Sequence, residues 1–340
     1  MLVILESGAN EATLAHVVER IEQLGFKAHI SRGEFRTIVG AIGEERPGLP
    51  EQLLAVAGVE NVLPIMKPYK LASREFHRED SQFSVGPVRV GAGQAALIAG
   101  PCAVEDRQTT FDIAALVKAQ GANMLRGGAF KPRTSPYAFQ GLGEEGLQIL
   151  AECREHFGLP VVTEVTDPRN VELVYRYADM LQVGARNMQN FVLLSELGRI
   201  DKPVLLKRGP SSTVKDWLMS AEYILAEGNH RVVLCERGSR GFETEVRFSL
   251  DVSAIAAARH DTHLPIIVDP SHAAGRRELV IPLALAGLAA GADGIIVETH
   301  TCPEKAKCDG PQALTEPLLV SLMNQTREIL RVMGKTWDSV

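Results

Sequence analysis

Four side chains of this sequence have the donor mixture of a divalent transition-metal site. They are Cys102, His272, Glu298 and Asp309: a thiol, an imidazole and two carboxylates. That combination suits Mn²⁺, Fe²⁺, Co²⁺ or Zn²⁺. Asp269 stands three residues before His272 and is expected to orient a ligand rather than to be one. Taken singly, Cys102 reads equally well as an inert buried thiol, and His272 as a helix-cap histidine. A second set is cationic: Arg126, Lys131, Arg133, Arg186, Lys207, Arg208 and Arg237. Three of these fall within "LRGGAFKPRTSPY" (125–137), although the chain carries a formal net charge of −6. Acids such as Glu164 and Asp269 would neutralise only part of the set, and buried charge must be paired. Three anionic ligands already offset a divalent ion, so the surplus is expected to receive anions from solution. A phosphate ester carries about two negative charges and is held well by arginine forks. Seven cations suit two phosphorylated ligands, or one phosphate and a carboxylate, better than a single one.

These residues are far apart in sequence, so the fold must gather them. From residue 95, short apolar or β-branched runs alternate with amphipathic helices. The runs are 96–100, 123–127, 160–165, 180–184, 203–208, 232–237, 265–269 and 294–298. Eight such strands, each followed by a helix, are the count of a (β/α)₈ TIM barrel. An open doubly wound α/β sheet is the alternative, because alternation alone does not prove closure. In a barrel, functional groups lie at the C-terminal strand ends. Those positions hold Cys102, Arg126, Glu164, Arg186, Lys207 with Arg208, Arg237, Asp269 with His272, and Glu298.

Residues 1–67 read as strand, helix, strand, strand, helix, strand, the βαββαβ order of a ferredoxin-like domain. Asn10 is the expected cap of the first helix and Gly25 its stop. The segment has no cluster of catalytic residue types, which leaves a packing module or a small-molecule sensor. Residues 68–80 are polar and aperiodic and form the expected linker. Residues 81–340 form the barrel, with a hairpin at 83–91 as a lid. A net −6 argues against general nucleic-acid binding, and no apolar run approaches the roughly 20 residues that cross a bilayer. The start of the chain lacks the marks of a signal peptide. Five scattered cysteines suit free thiols in a reducing cytoplasm.

The chain resembles the 3-deoxy-D-arabino-heptulosonate 7-phosphate (DAHP) synthase family, of the type with an N-terminal ferredoxin-like, ACT-like domain. The matching stretches include "IAGPCAVE", "LRGGAFKPRTSPYAFQGLGEEG", "QVGARNMQN", "PVLLKRG", "LCERG", "PIIVDPSHAAGRRELVIPL" and "GIIVETHTCPEKAKCDG". The resemblance implies condensation of phosphoenolpyruvate with erythrose 4-phosphate and release of phosphate, the first step of aromatic amino-acid synthesis. It implies one divalent ion on Cys102, His272, Glu298 and Asp309. It assigns phosphoenolpyruvate to Arg126, Lys131, Arg186, Lys207 and Arg237, and the aldose phosphate to Arg133 and Thr134. Lys131 or Glu164 would serve in proton transfer, or act only through charge. A homotetramer and a tyrosine or phenylalanine effector are further implications.

One position departs from the family pattern. Cys308 stands where a small serine usually precedes the last metal-ligating aspartate. It is either a tolerated replacement or a redox weakness, in which Cys102 pairs with Cys308 when the metal is absent. Three rival functions follow from the same residues. A sister enzyme joins phosphoenolpyruvate to arabinose 5-phosphate, but its pattern inserts "AN" where this chain has "KPRTS". A Schiff-base aldolase would use Lys207. A non-catalytic phosphosugar-binding protein would not need a metal set.

Overall fold

In the computed structural model, which describes residues 1–340 except 34–35, 44–47, 64–66 and 134, the chain divides into two compact units, Met1–Glu79 and Asp80–Val340. The first runs β1 (Leu2–Leu5), α1 (Glu11–Gln23), β2 (Lys27–Arg32), β3 (Thr37–Ile42), α2 (Leu49–Leu54) and β4 (Val59–Leu63). Asn10 caps α1 by accepting from the Thr13 amide at 2.9 Å. The helix buries Leu14, Val17 and Ile21 on one face, as a 3.6-residue period requires. Gly25, at φ +86°, ends it. The sheet is antiparallel in the order β2-β3-β1-β4, as expected for a ferredoxin-like unit. The expected last strand continues past Leu63 into 64–66, which lie outside the described residues.

The second unit opens with the hairpin β5 (Phe83–Val85) and β6 (Val88–Val90). Its buried valines, Val85, Val88 and Val90, join the core inside the barrel, and Cβ atoms on the flanking Gly86 and Gly91 would meet Pro160 at 3.2 Å and Pro265 at 3.3 Å. Pro160 and Pro265 stand immediately before the barrel strands Val161–Glu164 and Ile266–Val268. The hairpin therefore plugs the N-terminal end of the barrel rather than covering its mouth, and the expected lid is a floor.

The barrel strands are β7 (Ala96–Gly100), β8 (Met124–Arg126), β9 (Val161–Glu164), β10 (Met180–Val183), β11 (Val204–Lys207), β12 (Val232–Glu236), β13 (Ile266–Val268) and β14 (Gly294–Glu298). All are parallel to their neighbours, and every residue in them is buried. Burial on both faces explains why they read as apolar runs rather than as alternating strands. β14 pairs with β7 from Gly294↔Ala96 to Glu298↔Gly100. That seam closes the cylinder and excludes the open sheet. It also explains its glycines. A Cβ on Gly294 (φ +152°) would lie 2.0 Å from the Ala96 carbonyl oxygen, and one on Gly100 (φ +156°) 2.1 Å from that of Arg126.

Helices cover the outside: α3 (Arg107–Ala119), α4 (Glu144–Phe157), α5 (Val171–Tyr177), α6 (Phe191–Gly198), α7 (Val214–Ala226), α8 (Val252–Asp261), α9 (Pro270–Ala274), α10 (Arg277–Ala289) and α11 (Glu316–Val332). Side chains written into the sequence fix several starts. Asp106 accepts from the Thr109 amide at 2.8 Å, and Thr213 and Asp216 form a reciprocal capping box on α7. Among the described residues, no helix is long and apolar enough to cross a membrane.

Candidate active site

The last residues of four strands face the mouth: Arg126 ends β8, Glu164 ends β9, Lys207 ends β11 and Glu298 ends β14. Cys102 lies two residues beyond β7. Asp269 follows β13 directly and caps the short α9 that carries His272. Asp309 sits in the loop after β14 in the left-handed region, at φ +52°.

These elements bring Cys102, His272, Glu298 and Asp309 together. One donor atom of each lies within 4.8 Å of every other. Asp269 fixes the histidine: its Oδ1 accepts from the His272 amide at 3.0 Å, and its Oδ2 lies 2.7 Å from Nδ1. That leaves His272 Nε2 facing Glu298 Oε1 at 3.3 Å and Asp309 Oδ2 at 3.8 Å. Glu298 is fully buried. Its Oε2 accepts from Gln312 Nε2 at 2.6 Å, while Oε1 has no hydrogen-bond partner among the described residues. A buried carboxylate oxygen is seldom left so. That oxygen, which also faces the Arg126 guanidinium at 3.1 Å, an imidazole nitrogen turned toward it, a thiol and a second carboxylate fit a divalent cation.

Electrostatics agree with that fit. Its contact with Cys308, its burial and the Glu298 carboxylate hold the Cys102 thiol well above its usual range. A cation would replace that proton. Burial pushes Glu298 upward, but the charges of His272 and Arg126 outweigh it and bring the carboxyl below its ordinary value. Asp309 is likewise lowered against its burial, by His272 and Arg247. Burial lowers His272.

Beside this cluster a cavity of about 570 Å³ is lined by Arg126, Lys131, Arg133, Arg186, Lys207 and Arg237, together with Glu164, His272 and Asp309. Two of the cations are paired: Arg126 Nη2 lies 3.1 Å from Glu298 Oε1, and Lys207 Nζ 2.5 Å from Asp269 Oδ2. Lys131 Nζ donates to the Cys102 carbonyl at 3.0 Å and contacts its Sγ at 3.2 Å. Burial opposes its charge, yet Cys102, Cys308 and Glu164 hold its pKa above the ordinary lysine value. Arg186 and Arg237 make no ion pair among the described residues, and Nε and Nη1 of the buried Arg126 have no hydrogen-bond partner there. Arg237 is stacked on Phe248 at 4.6 Å. The wall thus offers cationic groups that nothing in the described protein neutralises. Thr134 lies outside the described residues.

One expected cation is not in the cavity. Arg208 follows Lys207, so strand alternation sends it to the other side of the barrel wall. There it pairs with Glu236 at 2.8 Å and Asp251 at 3.1 Å. Its role is in the wall. Conversely, Arg240, Arg247 and Phe248 line the cavity from the loop between β12 and α8. Only the density of arginine in "RGSRGFETEVRF" (237–248) marks them in the sequence. Gln182 carries no signal in the sequence; its Nε2 donates to Glu164 Oε2 at 3.3 Å. Gly184 leaves room for that carboxylate, because a Cβ there would meet Glu164 Oε1 at 2.1 Å.

A family model described as the DAHP synthetase I family matches residues 72–332. The chain belongs to the DAHP synthetase I family. Residues 1–67 match the model described as the DAHP synthase ferredoxin-like domain, in agreement with the βαββαβ unit. A relative from Thermotoga maritima named phospho-2-dehydro-3-deoxyheptonate aldolase is 48% identical over 334 residues, covering 98% of this chain and 99% of its own. The crystal structure of a DAHP synthase from that organism covers 98% of both chains at 47% identity, with a TM-score of 0.79. A more distant relative, the 2-dehydro-3-deoxyphosphooctonate aldolase of Desulfatibacillum aliphaticivorans, is 36% identical over 264 residues, 72% of this chain and 95% of that one. The DAHP synthase likeness thus runs through both units, whereas the octonate aldolase likeness leaves more than a quarter of the chain unmatched.

Proposed function

We propose that this chain is a metal-dependent DAHP synthase. It condenses phosphoenolpyruvate with erythrose 4-phosphate to 3-deoxy-D-arabino-heptulosonate 7-phosphate and phosphate, at the head of the shikimate route to aromatic amino acids. The observation that carries the reading is the meeting of a four-donor cluster and a wall of unneutralised cations in one cavity. Cys102, His272, Glu298 and Asp309 would hold one Mn²⁺, Fe²⁺, Co²⁺ or Zn²⁺ ion. When bound, that ion supplies Lewis-acid polarisation of the aldehyde.

The rest is the work of the chain's own residues. Arg126, Lys131, Arg186, Lys207 and Arg237 bind phosphoenolpyruvate, and Arg133 with Thr134 binds the aldose phosphate. Two polyanionic substrates repel each other, and the cationic wall offsets that repulsion while fixing their relative orientation. The alkene carbon of phosphoenolpyruvate forms a bond to the aldehyde carbon, and cationic character develops at the phosphate-bearing carbon. Water adds there, its proton passes to a base, and the carbon–oxygen bond to phosphate breaks. Glu164, held by Gln182, is the carboxylate placed in the cavity to orient that water. Lys131, with its Nζ at the Cys102 carbonyl, serves as a positive charge or in proton transfer to the new alkoxide. The ion pair with Asp269 ties up the Lys207 amine that an imine-forming aldolase needs.

Further proposals rest on the family: a cytoplasmic homotetramer, with tyrosine or phenylalanine acting through residues 1–67. The substrate is tested by following phosphate release from phosphoenolpyruvate with each aldose phosphate in turn. Erythrose 4-phosphate is expected to support release at least ~100-fold faster than arabinose 5-phosphate, a difference of about 2.7 kcal/mol. Faster release with arabinose 5-phosphate would move the chain to the octonate class.

A further inference from the structure

Gln312 is a polar side chain with only 2% of its surface exposed, and its amide reaches the four-donor cluster. Its Nε2 donates to Glu298 Oε2 at 2.6 Å, and its Oε1 accepts from Arg247 Nη1 at 3.4 Å. Arg247 Nη1 in turn lies 3.6 Å from Asp309 Oδ1. The sequence "DGPQ" (309–312) builds this arrangement. Asp309 precedes a 3₁₀ turn at Gly310–Gln312, closed by the Gln312 amide on the Asp309 carbonyl at 3.2 Å. Residues three apart in such a turn project to the same side, so one turn delivers both Asp309 and Gln312. Neighbours hold the turn in place. Arg277 Nη2 donates to the Gly310 carbonyl at 3.0 Å, and the Leu314 amide to the Glu298 carbonyl at 2.8 Å. A Cβ on Gly310 would lie 2.3 Å from the Pro303 carbonyl oxygen.

We propose that Gln312 is a positioning residue that sets which divalent ions the cluster prefers. The inference rests on the reading of Cys102, His272, Glu298 and Asp309 as metal ligands. Gln312 engages one carboxylate oxygen of the buried Glu298, and the other, Oε1, faces His272 Nε2 at 3.3 Å. A carboxylate pinned through one oxygen presents the other in a fixed direction. Glutamine does this without adding charge, whereas a glutamate at the same 2.6 Å would set a second anion against the first. The four donors differ in kind. Thiolate and imidazole suit Zn²⁺, and carboxylate oxygens suit Mn²⁺. Gln312 acts on the two carboxylates: directly on Glu298, and through Arg247 on Asp309. The other two donors have other partners, Cys308 and Lys131 for the thiol and Asp269 for the imidazole. Loss of the Gln312 amide therefore weakens oxygen-seeking ions more than thiolate-seeking ones.

The test compares the reduced, chelator-stripped full chain with Gln312→Met, which keeps the length of the side chain and lacks the amide. Mn²⁺ binding is read by electron paramagnetic resonance of the free ion, and Zn²⁺ binding by competition with a chromophoric chelator, both without substrate. Gln312→Met is expected to weaken Mn²⁺ by about 10- to 100-fold, the usual cost of losing a group that orients a ligand. Zn²⁺ is expected to weaken by no more than about threefold, so the ratio of the two dissociation constants moves toward Zn²⁺. Gln312→Asn, whose amide stops one methylene short of Glu298, should move the ratio the same way by less, and it carries the test if the methionine variant does not fold. Melting of each stripped chain reads the cost to the fold separately. A glutamine with a merely structural role would lower stability and weaken both ions alike. An equal loss of both ions, or a ratio that is unchanged or moves toward Mn²⁺, would overturn the proposal. If the wild-type chain binds neither ion, the metal-site reading fails and takes the proposal with it; if it binds both and the variants keep its ratio, only the role of Gln312 fails.

Discussion

Replacing Asp269 with asparagine is expected to lower kcat/KM by about 100-fold or more and to destabilise the fold in the same step. Asp269 is fully buried and serves two partners, His272 Nδ1 at 2.7 Å and Lys207 Nζ at 2.5 Å. The carboxylate sets which imidazole nitrogen faces Glu298 and Asp309. Loss of such an orienting group typically costs ~10–100-fold in metal affinity. It also leaves the Lys207 ammonium buried without its counter-charge, and breaking a buried pair from one side costs about 3–5 kcal/mol. The stability loss has a defined pH dependence. Burial pushes the Asp269 carboxyl upward, but the charges of His272 and Lys207 outweigh it and hold it well below the ordinary carboxylate range. A carboxylate depressed in the folded state contributes stability above its unfolded pKa, about 3.9, and loses it as pH falls through the folded value. The gap between wild type and Asp269→Asn should therefore be full at neutral pH and narrow only below about pH 4. Denaturant melts at several pH values, beside kinetics at saturating metal, measure both effects. A variant that loses activity with unchanged metal affinity and stability would contradict this role.

Arg237→Met should separate the two effects that Asp269→Asn combines. Arg237 is buried at the end of β12, stacked on Phe248, and makes no ion pair among the described residues. Burial lowers its pKa below that of an ordinary arginine, so the folded protein bears a cost to keep the charge there. Removing it should leave the melting temperature unchanged or raise it. The bound phosphoenolpyruvate loses a charged partner in a water-poor site, an effect of about 2–5 kcal/mol, or roughly 30-fold to several thousand-fold in kcat/KM. Lysine should rescue only part of this, because it lacks the planar fork. The opposite stability changes of the two variants distinguish a cation held for substrate from an acid held for structure. A strongly destabilised Arg237→Met with near-normal kcat/KM would contradict the assignment.

The parts of the molecule that were legible in the sequence share a physical cause. A strand buried on both faces must be apolar throughout, so the eight barrel runs stand out, and the rule that function collects at C-terminal strand ends locates Cys102, Arg126, Glu164 and Asp269. The same rule misplaces Arg208, because a strand end presents neighbouring side chains to opposite sides of the wall. Lys207 faces the cavity, and Arg208 faces Glu236 and Asp251. Arg240, Arg247 and Phe248 lie on a loop with no period to read, so only the closed fold brings them to the rim. The hairpin at 83–90 has the alternation of a half-buried ribbon. Nothing in its residues says which end of the barrel its valines close. The 3.0 Å approach of Cys102 and Cys308 joins residues separated by most of the barrel, and only the β14–β7 seam makes them neighbours.

The central claim is that one divalent ion and two phosphate esters meet in the cavity ringed by Cys102, His272, Glu298 and Asp309. Its most direct test is a single titration of the chelator-stripped full chain with Mn²⁺. Bound ion is read by electron paramagnetic resonance, and erythrose 4-phosphate-dependent phosphate release is followed in the same samples. The account predicts that both signals rise together and saturate at one ion per chain. Full phosphate release from the stripped chain, with no ion bound, would contradict it.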